Sequence, residues 1–252
     1  MYVTLKKGDR LPTVALAQAR LVERKLQGLR VDGYFGAETE RAVGEFQRSV
    51  RIPQTMQVDP ATWSALCFGH PLSVIDAIDA TDITVLQDDG PHLNDGHADV
   101  VVSYGTSRGT QQLISDLVGK YGRGSVALLR LHGHGSPGHM VVTAGTTGYG
   151  SSMFAGVHFS NPRAVAYYQR LGSIMKPYGS IELHGCRVAQ RETGYQLLVG
   201  LANATGVPVS AGLRYQTGGA DAARFEGPVR TCFPNGGDLK SWARQVFSMC
   251  QW

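Results

Sequence analysis

Apolar residues recur at the spacing of an amphipathic helix in the first quarter of the chain. Residues 14–26 and 38–50 both place them three and four positions apart, which predicts two helices that each bury one face. Between them, Gly33 and Gly36 permit a tight turn. Residues 56–66 form a weaker copy of the turn and the helix. Residues 1–68 are therefore predicted to form a small all-α domain of three short helices.

The pattern changes after residue 68, where Pro71 marks a boundary, into short apolar runs that alternate with helical segments. Alternation of this kind is typical of a mainly parallel sheet flanked by helices, so residues 69–252 are predicted to form an α/β domain. The last helix is expected to pack against the sheet. The glycine-rich run at 144–156 is expected to form a surface loop or a lid. The predicted strands are residues 83–86, 98–104, 126–132, 180–184 and 207–211, and the predicted helices are 110–121, 161–175, 192–204 and 239–247.

Composition narrows the class of protein. The formal net charge of +4 is mild and spread out, which suits an anionic cell wall but forms no nucleic-acid patch. No apolar run is long enough to span a membrane, and no signal peptide is visible at the start of this chain. The cysteines, at positions 67, 186, 232 and 250, are too few for a disulfide scaffold. We expect an extracytoplasmic protein that leaves the cell by a route not visible here.

Two apolar strands end in residues that carry chemistry. The strand at 126–132 runs into His132, Gly133 and His134, and the strand at 180–184 runs into His184, Gly185 and Cys186. Because the carboxyl ends of parallel strands open onto one crevice, these side chains are expected to meet there. A thiol beside an imidazole forms a nucleophile and its base. The residues that could fill these roles are Cys186 as nucleophile, His132, His134 or His184 as base, and the amides of Gly135 and Cys186 as the oxyanion hole.

Two other interpretations of these residues stay open. Cysteine is among the most buried residue types, so Cys186 could be structural. His132, His134 and His139 form a histidine cluster, but zinc needs three or four ligands, and Ser136 and Pro137 stand where an Asp-His pair would complete a metallo-hydrolase loop. We therefore predict no metal and no cofactor.

The N-terminal pattern resembles the bacterial peptidoglycan-binding domain. The resemblance is carried by V-D-G-Y-F-G-A-E-T at residues 31–39 and A-V-G-E-F-Q at residues 42–47. It implies peptidoglycan as a partner. A module that kept this fold and lost the ligand is the alternative. The residues that the resemblance assigns to the binding module are Asp32, Gly33, Phe35, Gly36, Thr39, Phe46 and Gln47.

The two strand-end blocks resemble the caspase, gingipain and clostripain group of cysteine peptidases. H-G-S-P-G at residues 134–138 and H-G-C-R-V-A at residues 184–189 are most similar to the caspase-like domain of large bacterial surface proteins, over roughly residues 98–233. The resemblance implies that His134, not His132, is the base. It also implies cleavage of a peptide or amide bond through a thioester on Cys186, and a specificity pocket walled by residues 213–219.

The same cysteine block also resembles the signature of L,D-transpeptidases, which remodel peptidoglycan through a cysteine thioester. Here Leu183 replaces the serine of that signature, and Arg187 follows the cysteine. That family is also mostly β. We therefore predict a cell-wall-targeted cysteine hydrolase with a protein or peptide substrate. The alternatives are a peptidoglycan-remodelling enzyme of transpeptidase, amidase or endopeptidase type, and a non-catalytic wall-binding or toxin-delivery module.

Overall fold

The structure is a computed structural model that describes residues 3–24, 26, 28–68, 73–79, 100–104, 109–141, 156–217 and 223–249. The chain divides into two compact units. The first comprises residues 1–72 together with 237–252, and the second comprises residues 73–236. No described helix is long and apolar enough to cross a membrane. The predicted strand at 83–86 and nearly all of the glycine-rich run at 144–156 lie outside the described residues.

The first unit contains the three predicted helices: α1 (Pro12–Glu23), α2 (Ala37–Ser49) and α3 (Pro60–Leu66). Their inward faces form one small core in which Leu16, Phe46 and Trp63 are each no more than 2% exposed. Pro12 and Pro60 stand in the first turns of their helices, where a missing backbone N–H costs nothing. The Asp59 side chain also caps α3 by accepting a hydrogen bond from the Thr62 amide at 2.8 Å.

Two buried glutamines connect these helices to the turns. Gln18 donates from Nε2 to Asp32, to the Tyr34 carbonyl and to Thr39, and its Oε1 accepts from the amides of Asp32 and Gly33. Gln47 repeats this arrangement in the third helix–turn segment, where it donates to the Gln57 carbonyl and to Thr62 and accepts from the Met56 amide. The weaker sequence copy is therefore a structural copy as well.

Replacing Gln18 by leucine is expected to lower the stability of the first unit by about 3 kcal/mol or more, because several buried polar groups lose their partner at once. The tryptophans of the chain, at positions 63, 242 and 252, all belong to this unit, so their fluorescence during denaturant unfolding reports on it selectively. Gln54→Leu is the matched control, since Gln54 is exposed and accepts one long bond from Arg48. Equal unfolding midpoints for the two variants would contradict the prediction.

The C-terminal helix, α7 (Leu239–Met249), belongs to the first unit. The expectation that it packs against the sheet, and with it the boundary of 69–252 for the second domain, is therefore wrong. The helix begins with reciprocal bonds between Asp238 and Ser241, a capping box. It buries Trp242, Ala243 and Val246. Leu239 lies against Gly33, where an added Cβ would come within 2.5 Å of the leucine side chain.

The second unit is an α/β structure built on a mostly parallel sheet. Among the described residues, six strands form the sheet in the order β2-β1-β3-β7-β8-β9, and β9 alone of these runs antiparallel to its neighbour. The strands are β1 (Ser73–Asp79), β2 (Val100–Tyr104), β3 (Val126–His132), β7 (Met175–His184), β8 (Val209–Gly212) and β9 (Val229–Cys232).

One face of this sheet carries the apolar core. Alternate strand residues such as Leu129, Leu131 and Leu183 pack there against the helices. The helices are α4 (Gly109–Lys120), α5 (Pro162–Tyr167), a 3₁₀ helix that continues α5 (Tyr168–Ser173), and α6 (Arg191–Thr205). The predicted helix at 161–175 is thus half α and half 3₁₀, and β7 begins at residue 175, earlier than predicted.

A second, small antiparallel sheet follows β3 directly. Among the described residues it contains β4 (Gly135–Ser136), β5 (His139–Val141) and β6 (Gly156–His158). Its first turn contains Pro137 and Gly138, and Gly138 has a φ of +78° that favours glycine. The Gly138 amide donates to the Val188 carbonyl at 3.0 Å, so this turn is bonded to the segment that follows β7.

Candidate functional site

The other face of the main sheet carries a row of polar side chains, which we call the polar row: Asp76, Arg130, Glu182, Ser210 and Thr231. Strand register aligns them on β1, β3, β7, β8 and β9 in turn. The first four are no more than 2% exposed. Ionised side chains so deeply buried need partners, because the interior solvates charge poorly.

Asp76 and Arg130 form the centre of the row. The Arg130 guanidinium donates to both carboxylate oxygens of Asp76, at 2.5 and 2.7 Å, in a bidentate pair. The Asp76 Oδ1 atom also lies 2.9 Å from Nε2 of His132. Burial opposes the charge on Asp76, but Arg130 and His132 outweigh it and hold the pKa of that carboxyl well below its usual range.

A stacked pair of histidines lies one layer closer to the carboxyl ends of the strands. His132 pairs with His184 in the register of β3 and β7, and their rings stack with centroids 4.8 Å apart. The Nε2 atom of His184 lies 3.1 Å from Glu182. The imidazole ring of His184 also stacks on the Phe225 ring, with centroids 4.3 Å apart. Burial lowers the pKa of His184 to about 4 despite the bond to Glu182, so this ring is neutral at pH 7. Both rings are buried and already bonded to carboxylates, which makes them poor candidates for the base.

His134 and Cys186 lie one layer further out, each two residues beyond the paired histidines. His134 is exposed and Cys186 is half-buried. The strand ends stay close at this level: the Gly133 amide donates to the His184 carbonyl at 3.3 Å, and a Cβ on Gly135 would lie 3.0 Å from the Cys186 amide nitrogen. Any side chain at position 135 would therefore push the two strand ends apart.

The Cys186 thiol meets the segment after β8. Its Sγ lies 3.4 Å from both the carbonyl oxygen and the amide nitrogen of Gln216, so the thiol donates to the carbonyl and the amide donates to sulfur. The Cys186 amide itself donates to no carbonyl among the described residues, which leaves it available to an oxyanion.

Arg187 holds this turn in an unusual conformation. Its φ is +55°, which costs about 1 kcal/mol or more for a residue with a side chain. Two contacts offset the cost: its amide donates to the Arg214 carbonyl at 2.8 Å, and its guanidinium lies 4.3 Å from the centre of the Tyr215 ring. The segment predicted to wall a specificity pocket, residues 213–219, thus contacts the cysteine turn through its described part, 213–217.

The remaining histidine of the sequence cluster lies in the small sheet. The ring of His139 meets that of His158 edge to face, with centroids 5.5 Å apart. Burial and the neighbouring imidazole lower its pKa. Among the described residues, no group of three or more histidine, cysteine, aspartate or glutamate side chains is placed to hold a metal ion.

The residues assigned to wall binding mostly stabilise the first unit from inside. Phe35 and Gln47 are fully buried, Phe46 and Thr39 are 2% exposed, and Gly33 has a φ of +74° at the turn. Asp32 and Gly36 are half-buried, the first bonded to Gln18 and the second at the start of α2. These residues shape the turn, so ligand contacts must come largely from exposed neighbours.

Sequence reasoning missed Asp76, Glu182 and Phe225, and it placed Gln216 in a pocket wall without predicting its contact with the Cys186 thiol. One sequence signal could have indicated the buried charges: Arg130 and Glu182 are charged residues within apolar strand runs. A strand of that kind is buried on both faces, where an ionised side chain is costly and needs a partner. Phe225 and Gln216 come from irregular segments and carry no such signal.

Comparison with known proteins identifies the first unit. Residues 10–66 match the family model of a putative peptidoglycan binding domain. Similar solved structures include the Burkholderia AP3 phage endolysin, at 32% identity over 27% of this chain and 26% of that chain, TM-score 0.26. Others are a peptidoglycan-binding protein from Clostridioides difficile in complex with glutamine hydroxamate, at 30% identity over 25% and 40% of the chains, TM-score 0.24, and the SleB N-terminal domain, at 25% identity over 27% and 94%, TM-score 0.26.

This chain thus spans less than half the length of the first two of these structures. No curated protein matches it. The family match confirms the predicted peptidoglycan-binding domain at the N-terminus. It supports a peptidoglycan-binding, cell-wall-related function and agrees with the expected cell-wall location.

The second unit is covered by a different family model. Residues 81–223, more than half of the 252 residues, match the model described as Domain of unknown function (DUF4347). The match contains His132, His134, His184 and Cys186, and so the whole candidate site apart from Asp76, Phe225 and Thr231. The chain therefore belongs to the DUF4347 family and carries a peptidoglycan-binding domain at its N-terminus.

Proposed function

We propose that this protein is a cell-wall-bound cysteine hydrolase of the caspase-like type, which cleaves peptide bonds of a protein or peptide substrate through a thioester on Cys186. One observation carries the proposal. β3 and β7 are neighbours paired at His132 and His184, so the segments that carry His134 and Cys186 leave the ends of adjacent strands.

In the proposed reaction His134 takes the Cys186 thiol proton, and the sulfur attacks the carbonyl carbon of the scissile bond. The amides of Cys186 and Gly135 stabilise the resulting oxyanion. The tetrahedral adduct collapses to a thioester, and His134 returns the proton to the leaving amine. Water, activated by the same imidazole, then hydrolyses the thioester and regenerates the thiol.

The architecture favours this reaction over that of a transpeptidase. The caspase-like resemblance implies a mainly parallel sheet flanked by helices, and a mostly parallel sheet packed against helices supports it, whereas the transpeptidase fold is mostly β. The peptidoglycan-binding domain keeps a wall-remodelling hydrolase, an amidase or an endopeptidase, as the second candidate, because it would bring the same thiol to stem-peptide bonds.

Parallel incubation with casein and with purified sacculi tests the proposal. We expect casein fragments in the presence of the wild type and none with Cys186→Ala. Release of soluble muropeptides without casein cleavage would replace the peptidase by the wall-remodelling hydrolase. Binding to sacculi with neither product would leave the non-catalytic wall-binding module.

A further inference from the structure

A cleft of about 280 Å³ opens within the first unit, between the turn that follows Arg30 and the C-terminal helix α7. We call it the basic cleft. Arg30, Lys240 and Arg244 line it together with Val31, Ala243 and Phe247. It is thus built half from the peptidoglycan-binding domain and half from a helix that the chain reaches only after the whole α/β unit.

The cleft carries an excess of positive charge. Lys240 and Arg244 are exposed and stand one helical turn apart, and neither forms an ion pair with any described residue. Like charges at this spacing destabilise a helix slightly. Arg30 lies 3.5 Å from Glu38, but both side chains are more than half exposed, so water screens the pair.

The one carboxylate among the described lining residues, Asp32, offsets only one of the three positive charges. Oδ1 of Asp32 accepts hydrogen bonds from the Gln18 side chain at 2.9 Å and from the Tyr34 amide at 3.0 Å. Asp32 therefore stabilises the turn through these two hydrogen bonds. An anionic ligand in the cleft would therefore meet Lys240 and Arg244, which form no ion pair in the described part of the chain, and the weakly paired Arg30. Asp238 interacts with Lys240 electrostatically but is not part of the cleft lining.

The floor of the cleft is apolar. Ala243 is fully buried, and Val31 and the half-buried Phe247 lie beside it. A ligand that fits must place a carboxylate next to a small apolar group. Peptidoglycan offers this combination at the ends of its stem peptides, where a D-alanine carries a methyl group and a free carboxylate, whereas its glycan is made of sugars joined to those peptides through amides.

We propose that the basic cleft binds the carboxylate end of a peptidoglycan stem peptide, so that α7 supplies half of the wall-binding surface. This inference rests on the wall binding of the proposed function, and it is independent of catalysis at Cys186. Leu239 packs directly against Gly33, and this contact positions α7 beside the turn that forms the other wall of the cleft.

Co-sedimentation with purified sacculi tests the inference, using the full chain with Lys240→Gln and Arg244→Gln combined. We expect binding to weaken about tenfold, since two charge-assisted contacts are lost. The control combines Lys6→Gln with Arg48→Gln, which removes the same charge from exposed positions of the same unit outside the cleft lining. Equal binding by the two double variants would overturn the inference. Thermal melts of both variants show that they fold.

A second arm separates the sources of the anion. Glycan strands stripped of stem peptides by an amidase should bind wild type and cleft variant equally, whereas the same loss on stripped glycan would place the anion elsewhere in the wall. If the wild type binds no sacculi, the proposed wall function fails, and the cleft is then judged with a soluble stem pentapeptide ending in D-alanine. Binding that the cleft variant loses would support the inference, and no binding would reject it.

Discussion

Replacing Cys186 by alanine is expected to abolish peptide hydrolysis, a loss of about 10⁴-fold or more, because the nucleophile of a covalent mechanism has no substitute. The label that a thiol-directed probe adds at position 186 should disappear with it. Hydrolysis of a fluorogenic peptide and the intact mass after labelling measure the two effects. Cys67→Ala is the control for a half-buried thiol outside the α/β unit.

His134→Ala should lower the rate of hydrolysis by about 10²–10⁴-fold, the usual contribution of a general base. His158→Ala is the matched control, because His158 lies in the neighbouring small sheet and bonds to Ser160. A caspase-like site requires that the two variants differ. If His134→Ala reacts and labels like the wild type while Cys186→Ala is silent, the base is another group and the dyad is wrong.

The dyad hypothesis requires the strands before His134 and Cys186 to be neighbours in one sheet, and the sequence could indicate this. Short apolar runs before His132 and His184 predicted two parallel strands, and an intervening crossover predicted that they belong to one sheet. The structure pairs β3 directly with β7, as expected. The ends of strands can be predicted in this way because the short apolar run and the abrupt change to glycine after it are both visible in the local sequence.

The local sequence of an amphipathic helix does not reveal which surface the helix packs against. Residues 239–247 were rightly predicted to be helical, but the pattern of one buried face cannot say which surface buries it. In the structure that surface belongs to the first unit, where Gly33 leaves room for Leu239. β1 was missed because two acids, Asp76 and Asp79, interrupt its apolar run.

Asp76→Ala is expected to destabilise the α/β unit by about 3–5 kcal/mol, the cost of removing one partner from a buried ion pair. Asp76 is fully buried and bonds to Arg130 through both oxygens and to His132 through one. Truncation leaves the Arg130 charge inside the protein without this carboxylate. His132 also loses its bond, and the stack with His184 beneath the cysteine turn should loosen.

The pH dependence of the effect follows from the low pKa of Asp76 in the folded protein. Since the unfolded carboxyl has a pKa of about 4, the native state holds the ionised form more strongly. Its contribution to stability is complete above that pH and is lost as the pH falls towards the folded pKa. The difference in stability between wild type and Asp76→Ala should therefore be largest near neutral pH and shrink below about pH 4.

Urea unfolding followed by far-ultraviolet circular dichroism measures the change, because the tryptophans report only on the first unit. Asp116→Ala serves as the control: Asp116 lies on the exposed face of α4, bonded only to Gln112 among the described residues. Its loss should cost under about 0.5 kcal/mol. A cost for Asp76→Ala equal to that of Asp116→Ala would mean that solvent reaches Arg130. The polar row would then be no buried network, and it could not hold the histidine stack beneath Cys186.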